Sequence, residues 1–334
     1  MFGLGWLLTG ALVLAPASPA DNWSAGAPAA ASTMVTSSAG PVSWEHSYRL
    51  SGKVWLLFWV GRDDLGTARL TRRTAAASST ISFIGGSDPR RAPGNLNQWG
   101  VAIEAAAGDR TRVFVARSLA PDDLTSPERR LADGAADAVF GATCASIERN
   151  TSRSSMTGVR VDPAMSFRSV SDLLDLLASS RRWESTRAEC PADASPGFFT
   201  AVLSATDESV ARARRGIRAP ARSHRLYVFK GALFDLDVRK VEAAGPGRLR
   251  QKFTYRNRTT GDSADFYVTV GTEGALAGVP VEMAFNPSWW LRVQLRLDDS
   301  ADVPGDPSQD VSLSSRIDHL CTAALGKDAD GPDD

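Results

Sequence analysis

Histidine and cysteine are scarce in this chain of 334 residues, which holds three of each. His46, His224 and His319 are far apart in sequence. None lies in an HExxH pair, and none stands at zinc-like spacing from Cys144, Cys190 or Cys321. Sequence-local metal sites are thereby excluded. The chain also lacks the GxSxG and SxxK patterns of serine nucleophiles. Gly271, Gly274 and Gly278 have the wrong spacing for a dinucleotide loop and sit between strand patterns, so no cofactor is implied. Turns that need a positive φ explain those glycines better. Net charge is missing too: 38 Lys and Arg balance 38 Asp and Glu, which argues against general nucleic-acid binding. After residue 20 there is no apolar run long enough for a spanning helix. The longest, Val54–Val60, is the size of a strand.

What is present begins at the amino terminus. MFGLGWLLTGALVLAPASPA has no charged side chain from Phe2 to Ala15, and Ser18 and Ala20 sit at −3 and −1 of a cut before Asp21. This is the pattern of a secretory leader, here residues 1–20, and it places the mature protein in the periplasm or outside the cell. The leader lacks Lys and Arg before its apolar core, so an uncleaved N-terminal membrane anchor is the competing reading. Three cysteines suit export, as one disulfide and one leftover thiol or as none, and their spacing does not choose the pair.

Residues 21–42 are Ala, Ser, Gly and Pro with little apolar bulk, the composition of a flexible linker. A β-rich region is expected over residues 43–190. Val54–Val60 is apolar on both faces and reads as one central, doubly covered strand, with Trp55, Leu57 and Trp59 on a shared face. Gly61–Gly66 reads as the following turn and Thr67–Arg73 as an alternating return strand. Thr80–Ile84, Trp99–Glu104 and Arg112–Arg117 continue the series, with Gly85–Gly94 as a loop.

Helices are expected in the middle. Ser169-Val-Ser-Asp172 is a capping-box pattern ahead of a Val170, Leu173, Leu174 and Leu177 stripe. Ser195-Pro196 reads as the start of another helix, with a stripe of Phe199, Val202, Leu203, Thr206 and Val210 and a stop at Gly216. Residues 191–222 are therefore a helix and connector. Over residues 223–299 five consecutive runs alternate with period 2 and are joined by short turns. They predict an antiparallel meander, apolar on one face. A C-terminal helix falls within 300–326, and 327–334 is an acidic tail. The fold class is α+β, mainly antiparallel β-sheet as a meander or half-barrel, with two or three helices in the middle and one at the end.

Two constellations carry the functional reading. Eight tryptophans follow the leader. Trp55 and Trp59, with Phe253 and Phe285, are candidates to line a cavity for an apolar or amphiphilic ligand; plain core packing is the competing explanation. Charge is segregated as well. Val210–Arg258 holds 14 Lys and Arg against 3 Asp and Glu, while Asp298–Asp334 holds 2 against 10. Arg248, Arg250, Lys252, Arg256 and Arg258 share one strand face, which could meet a lipid or another anionic envelope component. Asp235 and Asp237 are placed to pair with it across the sheet. The acidic pairs Asp63-Asp64, Asp122-Asp123 and Asp298-Asp299 are adjacent residues and do not face each other across a cleft as glycosidase carboxylates do.

SGKVWLLFWVGRDDLG (51–66), ISFIGGSDPRRAPGNLNQWG (81–100) and the 253–299 region together resemble a family of uncharacterised exported bacterial proteins. That resemblance implies a bacterial origin and assigns no catalytic residue. VPVEM followed by WWLRVQLRL is also similar to the last strands of periplasmic half-barrel lipoprotein carriers. The leading expectation is an exported, non-enzymatic envelope protein that binds an apolar or amphiphilic ligand. The alternatives are a structural or protein-interaction module, and a secreted hydrolase whose site is assembled from distant carboxylates or histidines.

Overall fold

In the computed structural model nearly every alternating run becomes a strand, and all fourteen strands join one sheet. The structure describes residues 43–298 and 307–326, except 56–58, 76–77, 93–98, 108–109, 120–138, 149–150, 161–173, 176–183, 192, 196, 217–222, 230–231 and 289–290. The first arm of the sheet comprises β1 (Ser43–Trp55), β2 (Trp59–Ala75), β3 (Ser78–Ser87) and β4 (Trp99–Ala107). It continues with β5 (Arg110–Leu119), β6 (Val139–Glu148), β7 (Thr151–Arg160) and β8 (Glu184–Glu189). Helix α1 (Phe198–Arg214) follows. The second arm is β9 (His224–Phe229), β10 (Ala232–Ala243), β11 (Arg248–Asn257), β12 (Ser263–Gly271), β13 (Pro280–Ser288) and β14 (Leu291–Leu297). Helix α2 (Pro307–Gly326) ends the described chain.

The strand order is β8-β7-β6-β5-β4-β3-β2-β1-β14-β13-β12-β11-β10-β9. The first arm meanders outward from β1, α1 crosses over, and the second arm meanders back until β14 pairs antiparallel with β1. The two β-rich regions are therefore halves of one sheet, mostly antiparallel and accompanied by few helices.

The sheet rolls around α1. Val113 and Val115 of β5 and Ala145 of β6 share one buried cluster with Ala201, Val202 and Ala205 of α1 and with Tyr227, Leu236 and Phe253 of the second arm. Inward residues alternate along β10 and β11, as a pleat with one buried face demands. Phe234, Leu236 and Val238 of β10 are buried. Aromatic rings stack within this interior, Phe253 on Phe266 at 5.0 Å and Tyr227 on Phe234 at 5.2 Å between centroids. Across the roll, Ile147 of β6 meets Cys190 and Val228 of β9. The backbone of Ser195 bonds on both sides of Tyr227, accepting from Val228 and donating to Leu226.

The opposite face of β4–β6 is covered by α2. Ile317, Leu320, Cys321 and Ala324 pack on Ile103, Phe114, Ala142 and Cys144. Cys144 and Cys321 form a disulfide, and Cys190 is a buried free thiol. Among the described residues no helix is long and apolar enough to cross a membrane.

Several expectations need correction. Val54–Val60 is not one central strand: β1 ends at Trp55, β2 begins at Trp59, and the two tryptophans pair across a hairpin. Trp55 and Trp59 thus belong to different strands, and Leu57 lies outside the described residues. Gly61–Gly66 is not the turn but part of β2. There Asp64 takes φ 59°, and the register shifts between Leu50 and Gly52, a bulge that absorbs extra residues. Gly85 and Gly86 belong to β3 and not to a loop. Helix α1 is capped by Gly197 and not by Ser195. Its stripe is otherwise as expected, with Val202, Leu203, Thr206 and Val210 buried. Of the helix expected after Ser169, only Leu174 and Asp175 are described. The linker and the acidic tail lie outside the described residues.

Candidate functional site

Helix α1 lies within the curve of the sheet and is tied along its whole length. At its start Gly197 offers no side-chain cap. Glu104 of β4 supplies one from across the interior: its Oε1 accepts from the Phe199 backbone N–H at 2.8 Å and its Oε2 from that of Thr200 at 2.7 Å. These are two of the donors that the first turn of any helix leaves without an internal partner. Further along, the Thr206 hydroxyl donates to Oε1 of buried Gln251 at 3.0 Å. Arg72 of β2 pairs with Asp207 at 2.7 Å. At the far end Arg214 donates to the Thr272 carbonyl at 2.9 Å.

Between the first turns of α1 and the inner face of the sheet is a cavity of about 160 Å³. Phe198, Phe199 and Val202 line it from the helix, and Phe266, Met283 and Phe285 line it from the second arm. Glu104, Tyr255 and Tyr267 are its titratable neighbours. Burial pushes the Glu104 carboxyl above the ordinary carboxylate range, against the hydrogen bonds from Thr200 and Phe199 that pull it down. Burial likewise pushes the Tyr255 hydroxyl up, and Asp262 adds to that. Among the described residues no Ser, Cys, Thr, His or Lys side chain is in the lining. The lining is mostly apolar, and the cavity can hold an apolar group. Its volume matches that of a cavity known to admit benzene, about 150 Å³, and is below the usual range of drug-sized pockets.

Of the four candidate ligand contacts, the structure brings Phe285 to this cavity. Phe253 is fully buried one layer aside, stacked on Phe266, and belongs to the core. Trp55 and Trp59 stand at the β1–β2 hairpin, and their side chains lie outside the described residues. Phe198, Phe199 and Met283 were missed. The first two carried a signal, because they open the helix on its apolar stripe.

Arg248, Arg250, Lys252 and Arg256 do share the outward face of β11, opposite buried Gln251, Phe253 and Tyr255. Carboxylates from neighbouring strands meet this basic surface. Arg258 pairs with Asp235 at 2.8 Å, Arg239 with Asp237 at 2.9 Å and Lys252 with Asp265 at 2.6 Å. His224 bridges Asp235 and Asp237 at 3.3 and 3.0 Å. Arg250 lies 4.5 Å from the Tyr267 ring centroid. Part of this basic surface is thus met by carboxylates.

Asp265 makes a pH prediction. Partial burial raises its carboxyl, but hydrogen bonds from Lys252 and Thr254 outweigh that and hold it below the ordinary range. Its stabilising contribution is full above the unfolded-state carboxylate value and is lost as pH falls through its own lower value. Asp265→Asn should therefore flatten the acid-side decline of the thermal midpoint below about pH 4. A midpoint curve identical to the parent's would contradict this.

Asp298 pairs with Arg49 at 2.9 Å, and Asp64 sits between Arg49 and Arg91. These acids are used in surface pairs. Among the described residues no three His, Cys, Asp or Glu side chains converge to hold a metal ion. No family model, curated protein or solved structure matches the chain.

Proposed function

We propose that this is an exported, non-enzymatic binding protein of a bacterial envelope, built as a half-barrel whose interior helix and sheet together take up a small apolar group. The observation that carries the reading is the apolar cavity beneath α1. Its size suits an aromatic ring or the end of an acyl chain, with any polar remainder of an amphiphile left outside. Export is supported by the leader-like first twenty residues and by the Cys144–Cys321 disulfide, since such bonds persist in oxidising compartments. The resemblance to uncharacterised exported bacterial proteins points the same way.

The test uses two measurements. Native mass spectrometry of protein purified from its host should show an added mass that departs on denaturation. Benzene near saturation should raise the thermal midpoint of the stripped protein by a few degrees, as binding to the folded state alone requires. Val202→Phe, which fills the cavity from the helix side, should abolish that shift. An unliganded mass together with no benzene shift would overturn the reading.

A second reading, a structural or interaction module without a small ligand, is favoured by the modest cavity volume and by the ties that fix α1. It predicts the unliganded mass.

A further inference from the structure

We infer that the outward face of β11 binds a linear polyol-phosphate polymer, with Arg248, Arg250 and Arg256 taking its phosphodiester groups. This role does not depend on the cavity being occupied. The choice of a polyol chain as partner rests on the exported location proposed above. Strands β10 and β12 carry four acids, Asp235, Asp237, Glu242 and Asp265, and each is held by a cation. Arg258 engages Asp235 at 2.8 Å, Arg239 engages Asp237 at 2.9 Å, Lys240 engages Glu242 at 2.5 Å and Lys252 engages Asp265 at 2.6 Å. Arg248, Arg250 and Arg256 are in none of these pairs, and among the described residues no carboxylate lies within 4 Å of them. Glu242 stands opposite Arg250 and Asp235 opposite Arg256 in the register, but both carboxylates are turned to the other cations, and Asp235 also meets His224. Three more acids border the face. Asp262 is bonded by the Thr260 hydroxyl, Glu273 stands near Gly247, and Glu282 is opposite Arg296.

The three arginines are placed to act together. Arg248 and Arg256 are exposed and Arg250 is half-buried. The Arg250 guanidinium lies over the Tyr267 ring of β12, 4.5 Å from its centroid. A guanidinium stacked on a ring keeps its planar fork oriented, so less rotamer freedom is lost when it grips a phosphate through two N–H groups. Arg248, Arg250 and Lys252 alternate on one face, which sets successive cations about 7 Å apart along the strand. Phosphates joined through a three-carbon polyol are separated by six covalent bonds, also about 7 Å when extended. Neighbouring repeats can therefore reach Arg248 and Arg250, and a later repeat on the same chain can reach Arg256. Apart from Tyr267, the outward positions of β11 and β12 carry Arg, Lys, Thr, Ser and Asp. They offer nothing apolar to enter a bilayer. Single-stranded nucleic acid is gripped by stacking bases on aromatic rings, and here Arg250 already covers the one ring. A hydrated chain of phosphates without bases fits this face best.

The test is fluorescence anisotropy of a labelled synthetic glycerol-phosphate oligomer titrated with the full chain at low ionic strength. An oligothymidylate of equal phosphate count and a polyuronate of equal charge are the comparison probes. The parent should bind the glycerol-phosphate oligomer with an affinity that falls steeply with salt, and the polyuronate about tenfold more weakly. Replacing Arg248, Arg250 and Arg256 by Gln together should weaken binding about tenfold or more and lower the salt slope by about 2. Arg248→Gln with Arg256→Gln leaves the Arg250–Tyr267 stack in place and keeps the test valid if the triple variant does not fold. It should weaken binding about fivefold. Arg62→Gln with Arg90→Gln makes the same change in net charge at exposed positions of the first arm and should leave affinity within about twofold. No binding at low ionic strength would overturn the inference. So would an equal loss in the first-arm variant, polyuronate binding as tight as that of the oligomer, or oligothymidylate binding tenfold tighter. Cell fractionation separates this site from the location it rests on: an exported chain that binds no oligomer refutes the site, and a cytoplasmic chain refutes the location and with it the polyol partner.

Discussion

Glu104→Ala should cost about 3–5 kcal/mol of folding stability and loosen α1 from the interior of the sheet. The side chain is 4% exposed and each of its carboxylate oxygens serves one backbone N–H. Truncation strands two donors in apolar surroundings, at about 1–3 kcal/mol each, and leaves a void beside the cavity. The neighbouring glycine is part of the same device. Gly197 has φ −162°, extended backbone open to any residue, so its need is for space. A Cβ there would overlap the Glu104 carboxylate. Gly197→Ala should therefore push the carboxylate off the helix and reproduce much of the loss. Glu104→Gln, which keeps the shape and one good acceptor, should cost about 1–2 kcal/mol. It should also remove a pH slope. Because burial raises the Glu104 value on folding, the protein takes up a proton there. That part of its stability is complete below the ordinary carboxylate range and fades as pH climbs through the raised value. Urea unfolding of the three variants against pH checks the set. Equal midpoints for Glu104→Ala and parent would refute the anchoring role.

Cys321→Ser should cost about 3–5 kcal/mol, and reducing the parent should reach the same end state. The Cys144–Cys321 bond closes a loop of 177 residues. Chain-entropy scaling puts the restriction of the unfolded chain at about 5 kcal/mol for that length. The other ties of α2 are weaker. Arg112 reaches Asp318 and Thr322 at 2.8 Å, and Arg316 reaches Asp175 at 2.6 Å, all at the surface. Such pairs contribute about 0–1 kcal/mol each. Without the disulfide, α2 keeps its apolar contacts with Phe114 and Ala142 but should open first. Hydrogen exchange should show α2 losing protection ahead of β10–β12, and urea midpoints should fall together in variant and reduced parent. Since both sulfurs are fully buried, reductant should act on the folded parent only through opening. A variant with the parent's midpoint would contradict the argument.

Strands β10 and β11 were legible because each has one face on the interior and one toward water, so period 2 is written in the sequence. Val54–Val60 was misread for the opposite reason. A continuous apolar run signals a strand covered on both faces, and a hairpin connection without Gly, Asn or Asp gives no turn signal. The glycines and aspartates of 61–66 drew the expected turn downstream, where they serve a bulge in β2. Ser195-Pro196 has the local grammar of a helix start, yet the Ser195 backbone is spent on β9 and the cap comes from Glu104. Nothing local marks a capping residue 95 positions before the N–H it receives. The same distance effect hid the Cys144–Cys321 pairing. Of the candidate site, Phe285 was found through its alternation, while Phe253 has the same alternation but stacks into solid core.

The pairing of β1 with β14 sets a condition on how the molecule is made. The first strand of the sheet needs the last as its neighbour, so a chain emerging in order from its amino terminus carries an unsatisfied strand edge until residue 297 has arrived. Contacts of such long sequence separation form late and slowly. An edge left open for that time invites pairing with other chains. A protein of this topology gains from completing its sheet only once the whole chain is present.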